Sequence, residues 1–483
     1  MANAIDGLTP PLVWKYFAEI SRIPRGSKNE KAIGAYLVAT AKKLGLEAQQ
    51  DGVGNVLAHK PAAKGLAAVP SVCLQGHMDM VCEKNKDTVH DFLKDPLQLV
   101  RKGNFITASG TTLGADNGIA VATCLAIMED KSLEHGPLEF LFTVDEETGL
   151  TGANNLQAGF LQSKILLNLD SEDEGELYVG CSGGRDNTGA WAVSWDDVPA
   201  GGSGLLVTVK GLKGGHSGLE IHTGRGNALK IMTRVLICLT ALGARVAKID
   251  GGNKRNAIPR EAEAVVWVPK AKAAAVADLV GQMNTVIRAE FATVEPGLVI
   301  DCQPQKNVRK AFARGLQKKV LLALAGLPHG VLKMSADIAG LVETSTNLAI
   351  VQTDKKAITV QTSQRSSVAS EIEEASQMVR AVFVLAGATA TGSDGYPGWK
   401  PNMASPILQL ARDTYKSLYG KDPEVKAVHA GLECGIIGEK YPGMDMVSFG
   451  PTMREVHSPN EHLYIDTVEK FYAFLLGILK NVK

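Results

Sequence analysis

Two short stretches pose the chemical question. GHMD (76–79) ends an apolar run and delivers His77 and Asp79, and VDEETG (144–149) ends another and delivers Asp145, Glu146 and Glu147. TLGADNG (112–118) adds Asp116, the run ILLNLD (165–170) closes on Asp170, and FGPTMREVHSPNEH (449–462) offers His457 with Glu461 and His462 behind it. Two imidazoles and several carboxylates delivered to one place need a shared counter-charge, which a metal supplies. Mixed nitrogen and oxygen donors suit zinc, and also manganese or cobalt. One ion leaves acids unpaired, whereas two ions about 3.5–4 Å apart, sharing a bridging carboxylate, accommodate them.

Spacing separates the roles. His77 and Asp79 are two apart in an extended segment and project to one side, so Asp79 is placed to hold the imidazole. Adjacent Glu146 and Glu147 are expected on opposite sides, one to bind metal and the other to address a water, with Asp145 facing elsewhere. Taken singly, each residue has an ordinary reading: a satisfied core histidine, an acidic first helical turn, an Asp-Asn-Gly turn or an acidic surface loop. It is their joint delivery at strand ends that points to a metal site.

The elements that must position them alternate in type. Residues 10–23 and 28–46 have helical apolar spacing, while 55–60, 71–76, 138–144 and 164–170 are short, apolar and strand-like. Such alternation predicts an α/β fold with a mostly parallel central sheet flanked by helices, whose ligands gather beyond the carboxyl ends of the strands. From about 186 to 396 the texture changes: a strand at 203–209, a helix at 226–242, and a strand and helix pair over 357–385. After GSDGYPGWKPN (392–402), rich in glycine and proline, helices return at 405–419 and 466–479. The expected organisation is a discontinuous catalytic domain, 1–185 and 397–483, with an inserted α+β lid domain over 186–396.

Two rival motifs fail on context. GCSGG (180–184) matches a nucleophile elbow literally, but the elbow needs a helix after the serine, and RDNTGAWAVSW alternates like a strand. GLKGGHSG (211–218) has the glycines of a phosphate loop without its Lys-Ser/Thr step. In composition, 51 basic residues balance 51 acidic ones, so no overall field draws the chain to nucleic acid or a membrane surface. Its seven scattered cysteines form no CxxC pair, the start lacks a signal-peptide pattern, and no apolar run reaches about 18 residues. A small-molecule partner and a cytoplasmic location are expected.

Together GHMDM, TLGADNGIA, VDEETGLTGA, NLDSEDEGELYVGCSGG, LKGGHSGLEIHTGRGNA and FGPTMREVHSPNEH resemble the dinuclear zinc peptidases that include aminoacylases, glutamate carboxypeptidases and carnosinases. The likeness spans essentially the whole chain and is strongest to the members that cleave aminoacyl-histidine dipeptides. It implies that His77 and Asp170 hold one zinc, Glu147 and His457 the other, that Asp116 bridges them, and that Glu146 is the general base. It also implies a cis Asp116–Asn117 bond, His216 of GGHSG as a lid donor to the oxyanion, and a homodimer. Arg365 in TSQRSS is expected to clamp the substrate's terminal carboxylate, and Asn256 in KRNAIP is a third lid contact. The implied activity is hydrolysis of Xaa-His dipeptides by a zinc-bridged hydroxide, with Co2+ or Mn2+ able to substitute. A related N-acyl amino acid deacylase or carboxypeptidase is the alternative; a noncatalytic binding protein and a serine hydrolase rank below it.

Overall fold

In a computed structural model, which describes residues 4–483, the chain divides into two compact units. One comprises the chain up to Gly180 with Pro401–Ala427 and Leu432–Lys483, and the other Cys181–Lys400 with Val428–Gly431. The breaks fall after Gly180 and Lys400, beside the expected 185 and 396, because the chain is already extended and paired at Cys181. There its N–H donates to Trp399 O at 2.9 Å, and Gly184 N–H donates to Tyr396 O at 3.0 Å. Residues 428–431 join the second unit, since Ser182 N–H points at Val428 O (3.1 Å) and Ala430 O (3.0 Å). The segment after Ser182 is the Gly183–Ala192 strand, so no nucleophile elbow forms.

The first unit is built on an eight-stranded sheet. Its centre is parallel: Val72–His77 lies between Leu138–Thr143 and Ile165–Asn168, and Asp445–Ser448 continues beyond Ile165–Asn168. Glu47–Gln50 and Val56–Lys60 add antiparallel pairs on one side, and Glu176–Cys181 adds another on the far side. Val72–His77 and Leu138–Thr143 are buried at every residue, the signature of strands covered on both faces. Helix Ala115–Glu129 is buried along nearly its whole length, so it is apolar all round rather than striped. Helix Pro406–Tyr419 shows why its boundaries were legible: Ser405 Oγ accepts from Leu408 N–H at 3.1 Å, Pro406 opens the first turn, and Gly420 closes it at φ 72°.

The second unit holds a nine-stranded sheet ordered, by first residue, 299, 203, 262, 245, 342, 357, 183, 389, with Gly330–Met334 alongside Val342–Thr353. Its neighbours are antiparallel. Helices such as Ala228–Ala241 and Ala369–Leu385 bury Leu236, Leu239, Val379 and Phe383 in one core with Val207, Val266 and Val360 of the strands. Asn227 caps the first of these helices, accepting from Leu229 and Lys230 N–H.

Candidate metal centre

Parallel strands that end in register bring their next residues to one edge. His77 pairs with Thr143 at the last rung between their strands; Glu146 and Glu147 follow three and four residues after Thr143, and Asp170 follows two after Asn168. Asp116 arrives from the loop that opens the Ala115–Glu129 helix, and the Asp116–Asn117 bond is cis. Gly76 permits this meeting of strand and helix, because a Cβ there would lie 2.3 Å from Asn117 Oδ1. Asn117 in turn donates to Leu169 O at 2.8 Å, beside Asp170.

The outcome is a bridge. Asp116 Oδ1 lies 3.1 Å from His77 Nε2, and Asp116 Oδ2 lies 3.1 Å from His457 Nε2. Asp170 Oδ1 is 3.5 Å from His77 Nε2, and Glu147 Oε2 is 3.0 Å from His457 Nε2. His77, Asp116 and Asp170 form one trio whose donor atoms lie within 4.8 Å of one another; Asp116, Glu147 and His457 form a second; His77, Glu146 and Glu147 form a third. The structure thus brings His77, Asp116, Glu146, Glu147, Asp170 and His457 together.

Glu146 and Glu147 do not project to opposite faces as an extended segment would have them do. The strand stops at Thr143, Asp145 turns left-handed at φ 50°, and Glu146 starts a one-turn helix. Successive side chains there are about 100° apart, so both glutamates reach the His77 cluster. Asp145 faces away: it is buried, takes the hydroxyls of Thr148 and Thr151, and its N–H donates to Glu30 Oε1 at 3.0 Å.

Behind the donors, Asp79 does more than face His77. Its Oδ1 lies 3.2 Å from His77 Nδ1, at ion-pair distance without the alignment of a hydrogen bond. The same carboxylate accepts from Glu146 N–H at 3.1 Å and Ser27 Oγ at 2.8 Å. It therefore ties the histidine to the glutamates' backbone. Arg25 and Glu461 hold the Asp116 loop from two directions. Arg25 donates to the carbonyls of Met78, Asp79 and Gly114, while Glu461 accepts the N–H groups of Leu113 (2.7 Å), Gly114 (3.0 Å), Ala115 (2.8 Å) and Asp116 (3.3 Å). Sequence reasoning missed Arg25, which sits in the loop between two helices with no spacing that relates it to residue 114. His462 stays outside the centre, with Nδ1 2.9 Å from Asn460 O and its ring against Phe105.

Titration directions express the crowding. Hydrogen bonds to Asp116 and Glu147 push His457 up to about 11. Burial opposes charge on His77, yet Asp170 and Asp116 hold its pKa well above the usual range. Burial pushes Asp116 upward too, but His457 and His77 outweigh it and lower its pKa. Glu146 is raised well above a normal carboxylate, first by burial. Glu147 Oε1 is buried with no hydrogen-bond partner. Four carboxylates, two imidazoles and an orphaned buried oxygen form a donor set that fits a pair of divalent cations with nitrogen and oxygen preferences.

The family model described as Peptidase family M20/M25/M40 matches residues 73–481. The chain belongs to that family. It is therefore a hydrolase acting on peptide bonds, in a family of metal-dependent peptidases. It is 42% identical over 481 residues to the cytosol non-specific dipeptidase of Escherichia coli (strain K12), covering 99% of each chain. It matches the crystal structure of aminoacylhistidine dipeptidase from Vibrio alginolyticus with a TM-score of 0.93 and 43% identity, covering 100% of this chain and 98% of that one. Aminopeptidase PepT from Bacillus cereus shares the fold at a TM-score of 0.57 and 16% identity, covering 98% and 99%.

The second unit carries the remaining predicted residues. His216 Nδ1 accepts from Gly218 N–H (3.3 Å) and Leu219 N–H (3.1 Å), which puts the ring proton on Nε2. Arg365 is 6% exposed; its Nη1 donates to Tyr396 Oη at 3.0 Å, its Nε has no partner, and its Nη2 lies 3.5 Å from His216 Nε2. Burial, then Arg365, lowers His216 to about 4 and leaves it neutral. His429, which the sequence reading did not select, packs nearby with Nε2 2.7 Å from Ser345 Oγ. Asn256 contributes its carbonyl to Ser217 N–H at 2.9 Å and, with His216, lines a cavity of about 730 Å³.

Proposed function

We propose that this protein is a dinuclear zinc dipeptidase that hydrolyses Xaa-His dipeptides. The observation that carries the reading is Asp116, with one oxygen 3.1 Å from each of two imidazoles that belong to separate donor trios. In this reading His77 and Asp170 hold one ion, Glu147 and His457 the other, and Asp116 bridges them, with Asp79 fixing the His77 ring. The two relatives of 42% and 43% identity, both named as dipeptidases, support the substrate class over an N-acyl amino acid deacylase or carboxypeptidase.

Bound zinc supplies Lewis acidity and lowers the pKa of water toward neutrality. The protein's own residues handle the proton. Glu146, kept basic enough by burial to accept one, takes it from the attacking water and returns it to the departing amine, a shuttle worth typically ~10²–10⁴-fold. Arg365 with His216 forms a two-donor receptor for a carboxylate or oxyanion, and Asn256 is a further substrate contact. The inserted unit acts as a lid that checks substrate length and excludes water. A homodimer in the cytoplasm completes the reading, supported for location by the word "cytosol" in the Escherichia coli relative's name; among the described residues no helix is long and apolar enough to cross a membrane.

The deciding experiment is metal analysis of the purified protein combined with a dipeptidase assay that a chelator abolishes and zinc restores. Rates on Xaa-His dipeptides, N-acetyl amino acids and folyl-glutamates separate the alternatives, and tripeptides cleaved as fast as dipeptides would sink the length check. Light scattering tests the dimer.

A further inference from the structure

One row of buried polar side chains runs across the parallel strands that carry the donors. Gln75, Asn168 and Ser448 are direct neighbours on three adjacent strands, and all three are fully buried. Asn168 Nδ2 donates to Gln75 Oε1 at 2.5 Å, Ser448 Oγ donates to Asn168 Oδ1, and Ser171 Oγ lies 2.7 Å from Ser448 Oγ. The other end of the row is a carboxylate. Glu433, at the start of the Glu433–Lys440 helix, accepts from Gln75 Nε2 and from Thr143 Oγ1, each at 2.6 Å.

A polar row inside a doubly covered sheet is costly unless every member is satisfied, and this one ends on a carboxylate that is 0% exposed, forms no ion pair among the described residues, and leaves Oε1 without a hydrogen-bond partner. The row sits one layer beneath the donors. Gln75 precedes His77 by two residues on one strand, and Asn168 ends the strand that leads, two residues on, to Asp170. Thr143 ends the strand that leads to Glu146 and Glu147. Because Gln75 must give its amide N–H to Glu433 and its oxygen to Asn168, the carboxylate fixes the direction of every hydrogen bond along the row. Its charge also reaches His77 and Asp170, which are among the groups acting on its pKa of about 7, a value set first by burial.

From this geometry we infer that Glu433 is a positioning residue for the dinuclear centre, acting through the Gln75–Asn168–Ser448 row and through its buried negative charge to raise the affinity of the centre for its cations. The inference rests on the metal reading proposed above. Outer partners of ligating side chains typically change metal affinity by about 10–100-fold, and a carboxylate below the ligand layer, in a low dielectric, favours cations more than one in solvent does.

The test is zinc affinity by competition with a chelating indicator, the visible spectrum of the cobalt-loaded protein, and the melting temperature of the metal-free protein, for wild type, Glu433→Met and Glu433→Gln. The Met variant, which removes acceptor and charge, is expected to bind zinc at least about tenfold more weakly and to shift the cobalt bands, by more than its fall in metal-free melting temperature accounts for. The Gln variant, which keeps an acceptor for Gln75, separates the two contributions: recovery assigns the effect to the hydrogen-bonded row, and a similar loss assigns it to charge. Wild-type affinity and an unshifted spectrum in the Met variant overturn the inference, as does a loss that appears only with an equal fall in metal-free stability. If the Met variant does not fold, Ser448→Ala at the far end of the row takes its place with the same two outcomes. Wild-type protein that binds no metal defeats the proposed function itself, whereas metal-loaded wild type with unaffected variants defeats this inference alone.

Discussion

Arg365 Nη2 and His216 Nε2 lie 3.5 Å apart, and both are donors, because the Nδ1 atom of His216 is occupied by two backbone N–H groups. Two donors facing each other have no hydrogen bond to make with one another, and in the proposed function they share an acceptor from the substrate. Nε of Arg365 is unpartnered and its burial nearly complete, which suits the anionic acceptor, the substrate's carboxylate, of the proposed function. Arg365→Met should therefore raise KM for a dipeptide by about ten- to a hundredfold, the equivalent of a lost charge-assisted hydrogen bond, and should affect a C-terminally amidated dipeptide far less. Equal losses on acid and amide would remove the carboxylate receptor.

Glu146→Gln keeps the size and the backbone hydrogen bond to Asp79 but cannot accept a proton. Turnover should fall by at least about 10²-fold while both metals remain, as read by elemental analysis beside kcat. Activity within a few-fold of wild type would take the proton shuttle away from this residue.

Asp116 places one carboxylate oxygen 3.1 Å from each of the two imidazoles, His77 and His457, so its loss should be felt at both ions. Asp116→Asn is expected to reduce metal content from two toward zero at a zinc concentration where Asp170→Asn and Glu147→Gln each retain about one. Titration of the three apo variants with zinc, followed by calorimetry, gives the stoichiometries. An Asp116 variant that still binds one ion at wild-type affinity would place the bridge elsewhere.

His77, Glu146, Glu147 and Asp170 were legible because they follow apolar runs, and a strand buried on both faces has little other reason to end in His or acid. The bordering helices were legible from apolar spacing and caps, as Ser405 and Gly420 show. What escaped was whatever depends on distance through space. Glu433 stands in GLECGI, where a lone acid among Leu, Cys, Gly and Ile gives only a faint hint of a buried partner. Gln75 in VCLQGH and Asn168 in ILLNLD were visible interruptions of apolar strands, yet nothing in one dimension places them side by side. The placement of Glu146 against Glu147 went astray for a local reason: the strand was extended through Val144, while the left-handed turn at Asp145 starts a helix. A left-handed non-glycine residue is uncommon, and only Thr148 and Thr151, three and six residues later, hold the Asp145 side chain that accompanies it.

Two histidines of the second unit, His429 buried and His329 half-buried, make its stability fall in acid. Burial, then Arg365, lowers His429 to about 3, and burial, then Lys230, lowers His329 to about 4. Both rings are held neutral: Ser345 Oγ lies 2.7 Å from His429 Nε2, and Asn227 Nδ2 lies 3.3 Å from His329 Nδ1. In the unfolded chain each titrates near 6.5, so between that value and the lowered one the unfolded state binds more protons, and stability rises with pH. The contribution is complete above about pH 6.5 and is lost progressively as pH falls toward 4 for His329 and 3 for His429, with a limiting slope of about 1.4 kcal/mol per pH unit for each group. Urea denaturation of the chelator-treated protein, in which metal loss plays no part, should show its midpoint dropping over this window, and His329→Gln should flatten the slope between pH 6.5 and 4. A midpoint constant from pH 7 to 4, or a slope the substitution leaves unchanged, would mean these rings gain their protons without unfolding the sheet around them.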